Sequence, residues 1–248
     1  MIDTHAHPLL CSIPHEHFFA NAKLAGVTHI VGVATSIKMG LETLALSKKY
    51  PQLIPTIGIH PSEAKSQDQL SELPMLLSTY PEFKAIGEAG LDFYHDNGPL
   101  SLQQEVFEFQ LKCARDATLP IIIHTRQADE EIKPILKKYE DVKKVIHCFS
   151  SKIDFVKATL NENTYYSFTG MVTYKNKAYT HEVIQYLPLE KLMIETDCPY
   201  LTPTAFAGKE NQSAYVGEIA KIIADVKKLS LNEVIQHTTQ TAKTFFKI

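Results

Sequence analysis

Short apolar runs rich in β-branched residues recur along the chain, each followed by a polar turn and then a longer stretch whose apolar residues return every three or four positions. The runs are MID (1–3), THIVGVA (28–34), LIPTIGI (53–59), FKAIGE (83–88), LPIIIHT (119–125), VKKVIHCF (142–149), TYYSFTG (164–170) and LMIET (192–196). Between them, PHEHFFANAKLAG (14–26), SLQQEVFEFQLKCARDA (101–117) and KIDFVKATLNEN (152–163) carry helical spacing, and two further helices are expected over 211–228 and 230–247. Pro14 and Ser101 suit helix starts and Gly26 a helix end. Unbroken alternation of strand and helix predicts a parallel sheet with right-handed crossovers. Eight such units in about 250 residues predict an α/β fold, a (β/α)8 TIM barrel forming one domain over residues 1–248. A doubly wound open sheet is the competing architecture, but eight strands would make it unusually long and the chain has no GxGxxG turn.

Composition narrows the partners. With 44% hydrophobic residues the 248-residue chain can bury a full core, and with a formal charge of −3 it has no global positive field to draw in a polyanion. Any nucleic acid must therefore be held locally. The four cysteines, Cys11, Cys113, Cys148 and Cys198, lack CxxC spacing, which predicts reduced thiols. The N-terminus has no basic region leading into an apolar stretch, and no segment reaches the roughly 18 uncharged apolar residues of a membrane span. A cytoplasmic, membrane-free monomer is the expectation.

The placement of the histidines carries the chemistry. His5, His7, His60, His124 and His147 each fall at the end of a predicted strand, and in a (β/α)8 barrel those ends open on one face. His5 and His7 form an HxH pair whose period-2 geometry turns both rings to one side, toward a shared ion or simply toward a polar barrel mouth. Asp3, on the same strand face, is a candidate to orient a ligand. Glu88 ends an apolar strand, where a carboxylate is costly unless it is paired with a cation or a neighbouring side chain. Asp92 and Asp96, in the following loop, read as turn or capping residues. His124 and His147 occupy equivalent positions in adjacent units and suit a second ion. Asp197, at the end of the eighth run and hence beside the first, is the candidate general base that also touches metal. This imidazole and carboxylate set predicts two divalent ions, zinc or manganese more than magnesium, which prefers oxygen ligands. Cys148 and Cys198 read as small core residues.

Seven motifs, DTHAH (3–7), GIHP (58–61), GEAGLDFY (87–94), PIIIHTR (120–126), IHCFS (146–150), SFTGMVTY (167–174) and ETDCPYLTP (195–203), together resemble the TatD family of metal-dependent deoxyribonucleases. The resemblance implies one ion on His5, His7 and Asp197, a second on His124 and His147, and Glu88 bridging. It further implies hydrolysis of phosphodiester bonds, with 3′ to 5′ removal of nucleotides from single-stranded DNA or DNA ends. In that setting His60 would donate to a phosphate oxygen or support the metal, and Glu195 would hold a ligand in place or be an additional ligand itself. Arg126 would pair a phosphate oxygen, or else form a salt bridge with Asp129 or Glu130. Phe93, Tyr94 and Phe149 would stack on bases or pack internally. The chain departs from the family at AGKENQS (207–213), where Ala207 and Glu210 stand in place of two arginines, and at Ser151, where glycine is usual. The ion site thus reads as intact and the nucleic-acid grip as weakened. Hydrolysis of an ester or amide, such as deacylation of aminoacylated RNA, is the rival activity.

Overall fold

The computed structural model describes residues 1–64, 70–95 and 98–248; Asp96 lies outside them. In chain order the first elements are β1 (Ile2–Ala6), α1 (His15–Leu24), β2 (His29–Gly32), α2 (Ile37–Ser47), β3 (Leu53–Pro55) and α3 (Glu72–Thr79). They are followed by β4 (Ile86–Asp92), α4 (Leu100–Ala117), β5 (Ile121–Arg126), α5 (Asp129–Lys138), β6 (Lys144–Ile146) and α6 (Ile153–Thr159). The last are β7 (Thr164–Phe168), α7 (Tyr179–Tyr186), β8 (Leu192–Ile194), α8 (Gly217–Lys227) and α9 (Leu231–Phe246). All eight apolar runs thus contain or touch a strand, and every described strand pair is parallel.

The chain forms two compact units, one of Met1–Gly32, Cys148–Val156 and Tyr165–Ile248, the other of Val33–His147 and Lys157–Thr164. In the first unit β7 pairs with β8, a bridge joins Ala6 of β1 to Cys198 just beyond β8, and β1 pairs with β2. Its last helix is fixed at its start by a capping box, in which the Ser230 side chain accepts from the Glu233 amide and Glu233 accepts in return from the Ser230 amide. In the second unit Ile57, just past β3, bridges to Ile86 of β4, which pairs with β5, and β5 with β6. Ile121, Ile122 and Ile123 of β5 are all fully buried, as expected for a parallel strand covered on both faces.

One strand runs further than its apolar run suggests. β4 continues to Asp92, so Glu88 lies in its interior rather than at its end. Gly90 makes this possible: a Cβ there would stand 1.9 Å from the His124 carbonyl oxygen, and its φ of +148° is one that side-chain-bearing residues rarely adopt. The strand ends are secured by α4, whose glutamines seven residues apart share one face. Gln103 accepts from the Asp92 amide at 3.0 Å and donates to the Asp92 carbonyl at 3.2 Å. Gln110 does the same for Ile59, at 2.8 and 2.9 Å. Among the described residues no helix is long and apolar enough to cross a membrane.

Candidate metal centre

In the first unit, β1 and the turn after β8 build a three-residue set. The Asp197 amide donates to the His5 carbonyl and the His7 amide to the Cys198 carbonyl, both at 2.9 Å, locking the two segments side by side. The Nε2 atoms of His5 and His7 stand 3.2 Å apart, and Oδ1 of Asp197 lies 3.7 Å from the first and 3.4 Å from the second. Ligand atoms about 2.1 Å from one ion in tetrahedral array are separated by roughly 3.4 Å. Three donors at these spacings, both rings buried, fit a divalent cation. Asp197 reaches its position with φ +56°, a left-handed conformation costing about 1 kcal/mol in a non-glycine residue and the kind of strain that collects at functional sites.

Asp3 does not meet the rings as expected. Its carboxylate accepts from the Thr196 amide at 2.9 Å, the Thr196 hydroxyl at 2.6 Å and the His5 amide at 3.4 Å, so it anchors the backbone at His5 and beside Asp197. Burial raises its pKa to about 7 despite the hydrogen bonds from Ser213 and Thr196. Glu195 accepts from the Cys148 amide at 2.7 Å and the Ser167 hydroxyl at 2.6 Å.

The second unit gathers its donors around Glu88. Oε1 of this carboxylate lies 2.7 Å from His147 Nε2, 2.9 Å from His124 Nδ1 and 3.7 Å from His60 Nε2. The His124 and His147 nitrogens are 3.4 Å apart, and one ligand atom each from His60, Glu88 and His124 can be chosen within 4.8 Å of one another. Burial alone would push Glu88 up; facing His147, His60 and His124, it is held well below the usual carboxylate range. His60 goes the other way, lowered by burial to about 4 against the pull of Glu88. Its Nδ1 accepts from the Ser62 amide at 3.1 Å, which leaves the ring proton on Nε2.

Asp92 was expected only in a turn. It does cap one, accepting at Oδ1 from the amides of Tyr94 (2.8 Å) and His95 (3.0 Å), but Oδ2 also meets His124 Nε2 at 3.2 Å and His95 Nδ1 at 2.8 Å. Strand alternation held the signal: positions 88, 90 and 92 share a face once β4 is known to extend that far. Arg126 and Tyr94 are both exposed, and the guanidinium lies 4.0 Å over the Tyr94 ring; among the described residues Arg126 has no ion pair, while Glu130 binds Lys133. Phe149 is a correction. It is 2% exposed and packed against Phe155, Tyr166 and Phe168, so it offers no face to a base.

The family model of TatD related DNases matches residues 2–247. The chain belongs to the TatD family. Among its relatives, the uncharacterized metal-dependent hydrolase YabD of Bacillus subtilis is 36% identical, over all of this chain and 99% of its own. A second such hydrolase, YcfH of Escherichia coli, is 31% identical over all of this chain and 96% of its own. The crystal structure of YJJV, a TatD homologue from Escherichia coli K12, superposes with a TM-score of 0.94 at 28% identity, covering all of this chain and 98% of the other. This TatD-family protein is accordingly a metal-dependent hydrolase with the (β/α)8 TIM-barrel fold that its eight alternating units predict.

Proposed function

We propose that this TatD-family protein is a deoxyribonuclease that hydrolyses phosphodiester bonds, removing nucleotides 3′ to 5′ from single-stranded DNA or DNA ends with two divalent ions drawn from zinc, manganese and magnesium. The observation that carries the reading is the pair of imidazole and carboxylate sets, His5, His7 and Asp197 in one unit and Glu88, His124 and His147 in the other, each spaced for an ion. Bound there, such ions supply Lewis acidity that makes water nucleophilic at neutral pH and offsets charge on the phosphoryl oxygens. Asp197 is the base that takes the proton of the attacking water. His60, neutral and with its proton on Nε2, donates to a phosphate oxygen. Arg126 pairs a non-bridging oxygen, and Tyr94, braced by that guanidinium, stacks on a base.

The test is chelation followed by reconstitution. Chelated protein is expected to lose cleavage of short single-stranded DNA, and manganese or magnesium to restore it. One feature bears on the choice of substrate. Glu210, standing where the family resemblance leads one to expect arginine, is engaged by the Ser12 amide at 2.6 Å and by the Ser12 hydroxyl, leaving an acid rather than a phosphate donor in that loop. If the reconstituted protein spares oligonucleotides and cleaves aminoacyl esters of RNA, deacylation replaces the nuclease reading.

A further inference from the structure

We infer that Asp92, braced by His95, is a positioning residue that fixes the tautomer of His124, so that this histidine presents Nδ1 rather than Nε2 to a divalent ion. The inference rests on the proposed role of His124 as a ligand and adds how that role is enforced. His124 is wedged between two carboxylates, with Nδ1 2.9 Å from Glu88 and Nε2 3.2 Å from Asp92. A carboxylate only accepts, so without an ion Asp92 and Glu88 each call for a proton from the ring; of the two, Glu88 is the one that can instead share a cation, so the proton held by Asp92 on Nε2 is the one retained and the lone pair of Nδ1 is left for the ion. The Glu88 carboxylate beside Nδ1 is itself a metal-ligand type, whereas Asp92 is spent entirely on protein donors.

What makes Asp92 a fixed template is its other oxygen. Oδ1 is held by two backbone amides, those of Tyr94 and His95, and the Asp92 backbone is held by Gln103 through both its amide and its carbonyl. The carboxylate is buried at 1% exposure and cannot turn without losing those bonds. His95, with its ring half exposed, donates from Nδ1 to Oδ2 at 2.8 Å and shares that oxygen with His124. Asp92→Asn reverses this template with almost no change of shape. The two amides at Oδ1 admit only the carboxamide oxygen, so the NH2 group must take the place of Oδ2 and donate toward His124 Nε2. The imidazole can accept there only by moving its proton to Nδ1, which removes the ligand atom. His95, exposed, can swing away; His124 cannot.

The decisive experiment compares wild type, Asp92→Asn and His124→Gln by long-range proton–nitrogen NMR of the histidine rings and by calorimetric titration of zinc into chelated protein. The His124→Gln spectrum assigns the His124 signals by their absence. In the wild type, Nε2 of His124 should carry a proton; in Asp92→Asn it should be bare and Nδ1 protonated. Zinc should bind wild type at two sites, and Asp92→Asn should lose roughly ten- to hundredfold in affinity at one of them while keeping the other. Retention of the Nε2 proton in the variant, or equal zinc affinity at both sites, overturns the positioning role. Wild type that loses no zinc site on His124→Gln overturns instead the reading of His124 as a ligand. Far-ultraviolet circular dichroism and thermal melts of each variant exclude unfolding as the cause of any loss.

Discussion

The lysine that opens β6 should make the protein less stable than a neutral residue there, in full below about pH 8 and progressively less as the pH rises toward 10.5. Lys144 is fully buried, and its ammonium finds the Glu140 carbonyl at 3.4 Å. Burial lowers its pKa from the usual 10.5 to about 8, against the attraction of Asp141 and Glu140. Between those values the unfolded chain binds more protons than the native one, so stability rises with pH through that window; below it the native state bears the whole cost of the buried charge. At about 1.4 kcal/mol per pH unit the displacement is worth roughly 3 kcal/mol, and allowing for partial solvation of the ammonium we expect about 2 kcal/mol. Lys144→Met keeps the alkyl stem and removes the charge. Urea unfolding near pH 7 should place the variant about 2 kcal/mol above wild type, a midpoint gain of about 4–8 °C in thermal melts, and the gap should close toward pH 10. A variant less stable than wild type at neutral pH, or a gap that does not change with pH, would refute the reasoning.

Three further outcomes follow from the geometry. Gly90→Ala must relieve a 1.9 Å approach to the His124 carbonyl at φ +148°, and should cost about 3–5 kcal/mol in denaturant unfolding; a loss below about 1 kcal/mol would mean that β4 can move off β5 freely. Tyr94→Ala and Phe149→Ala should separate cleanly. The first, at an exposed site, should leave stability nearly unchanged and raise KM for single-stranded DNA by about 5- to 150-fold if one base is lost from the stack, while the second should cost about 3–5 kcal/mol of stability and leave KM alone. Asp197→Asn should still take up metal, measured by calorimetry, but lower kcat by about 100-fold or more; unchanged turnover would remove Asp197 from the role of base.

The sequence was most legible where chemistry and pattern coincide. Runs such as PIIIHTR show both a buried parallel strand and the candidate ligand at its end, and HxH on a strand fixes the relation of His5 to His7 by alternation alone. It was least legible where the backbone departs from its local preference. Cys148 adopts φ +46°, which turns the chain so that Phe149 enters the aromatic core, and nothing in IHCFS signals a left-handed non-glycine residue. The extent of β4 was hidden for a related reason: the apolar run ends at Glu88, and beyond it Gly90 permits the close packing of two strands that carries β4 on to Asp92. Asp92 followed that error. Placed in a loop it looked like a cap, and placed on the strand it faces the histidine.

The two glutamines of α4 give this helix a part usually taken by a neighbouring strand, since each supplies one donor and one acceptor to the backbone of a single residue, at Ile59 and at Asp92. Their separation of seven residues, close to two helical turns, is what keeps both amides on one face. Inserting or deleting a single residue between Gln103 and Gln110 would rotate one of them by about 100° and release either the segment bearing His60 or the end of β4. Length changes between Gln103 and Gln110 should therefore be rejected, a constraint set by hydrogen-bond phase in addition to hydrophobicity.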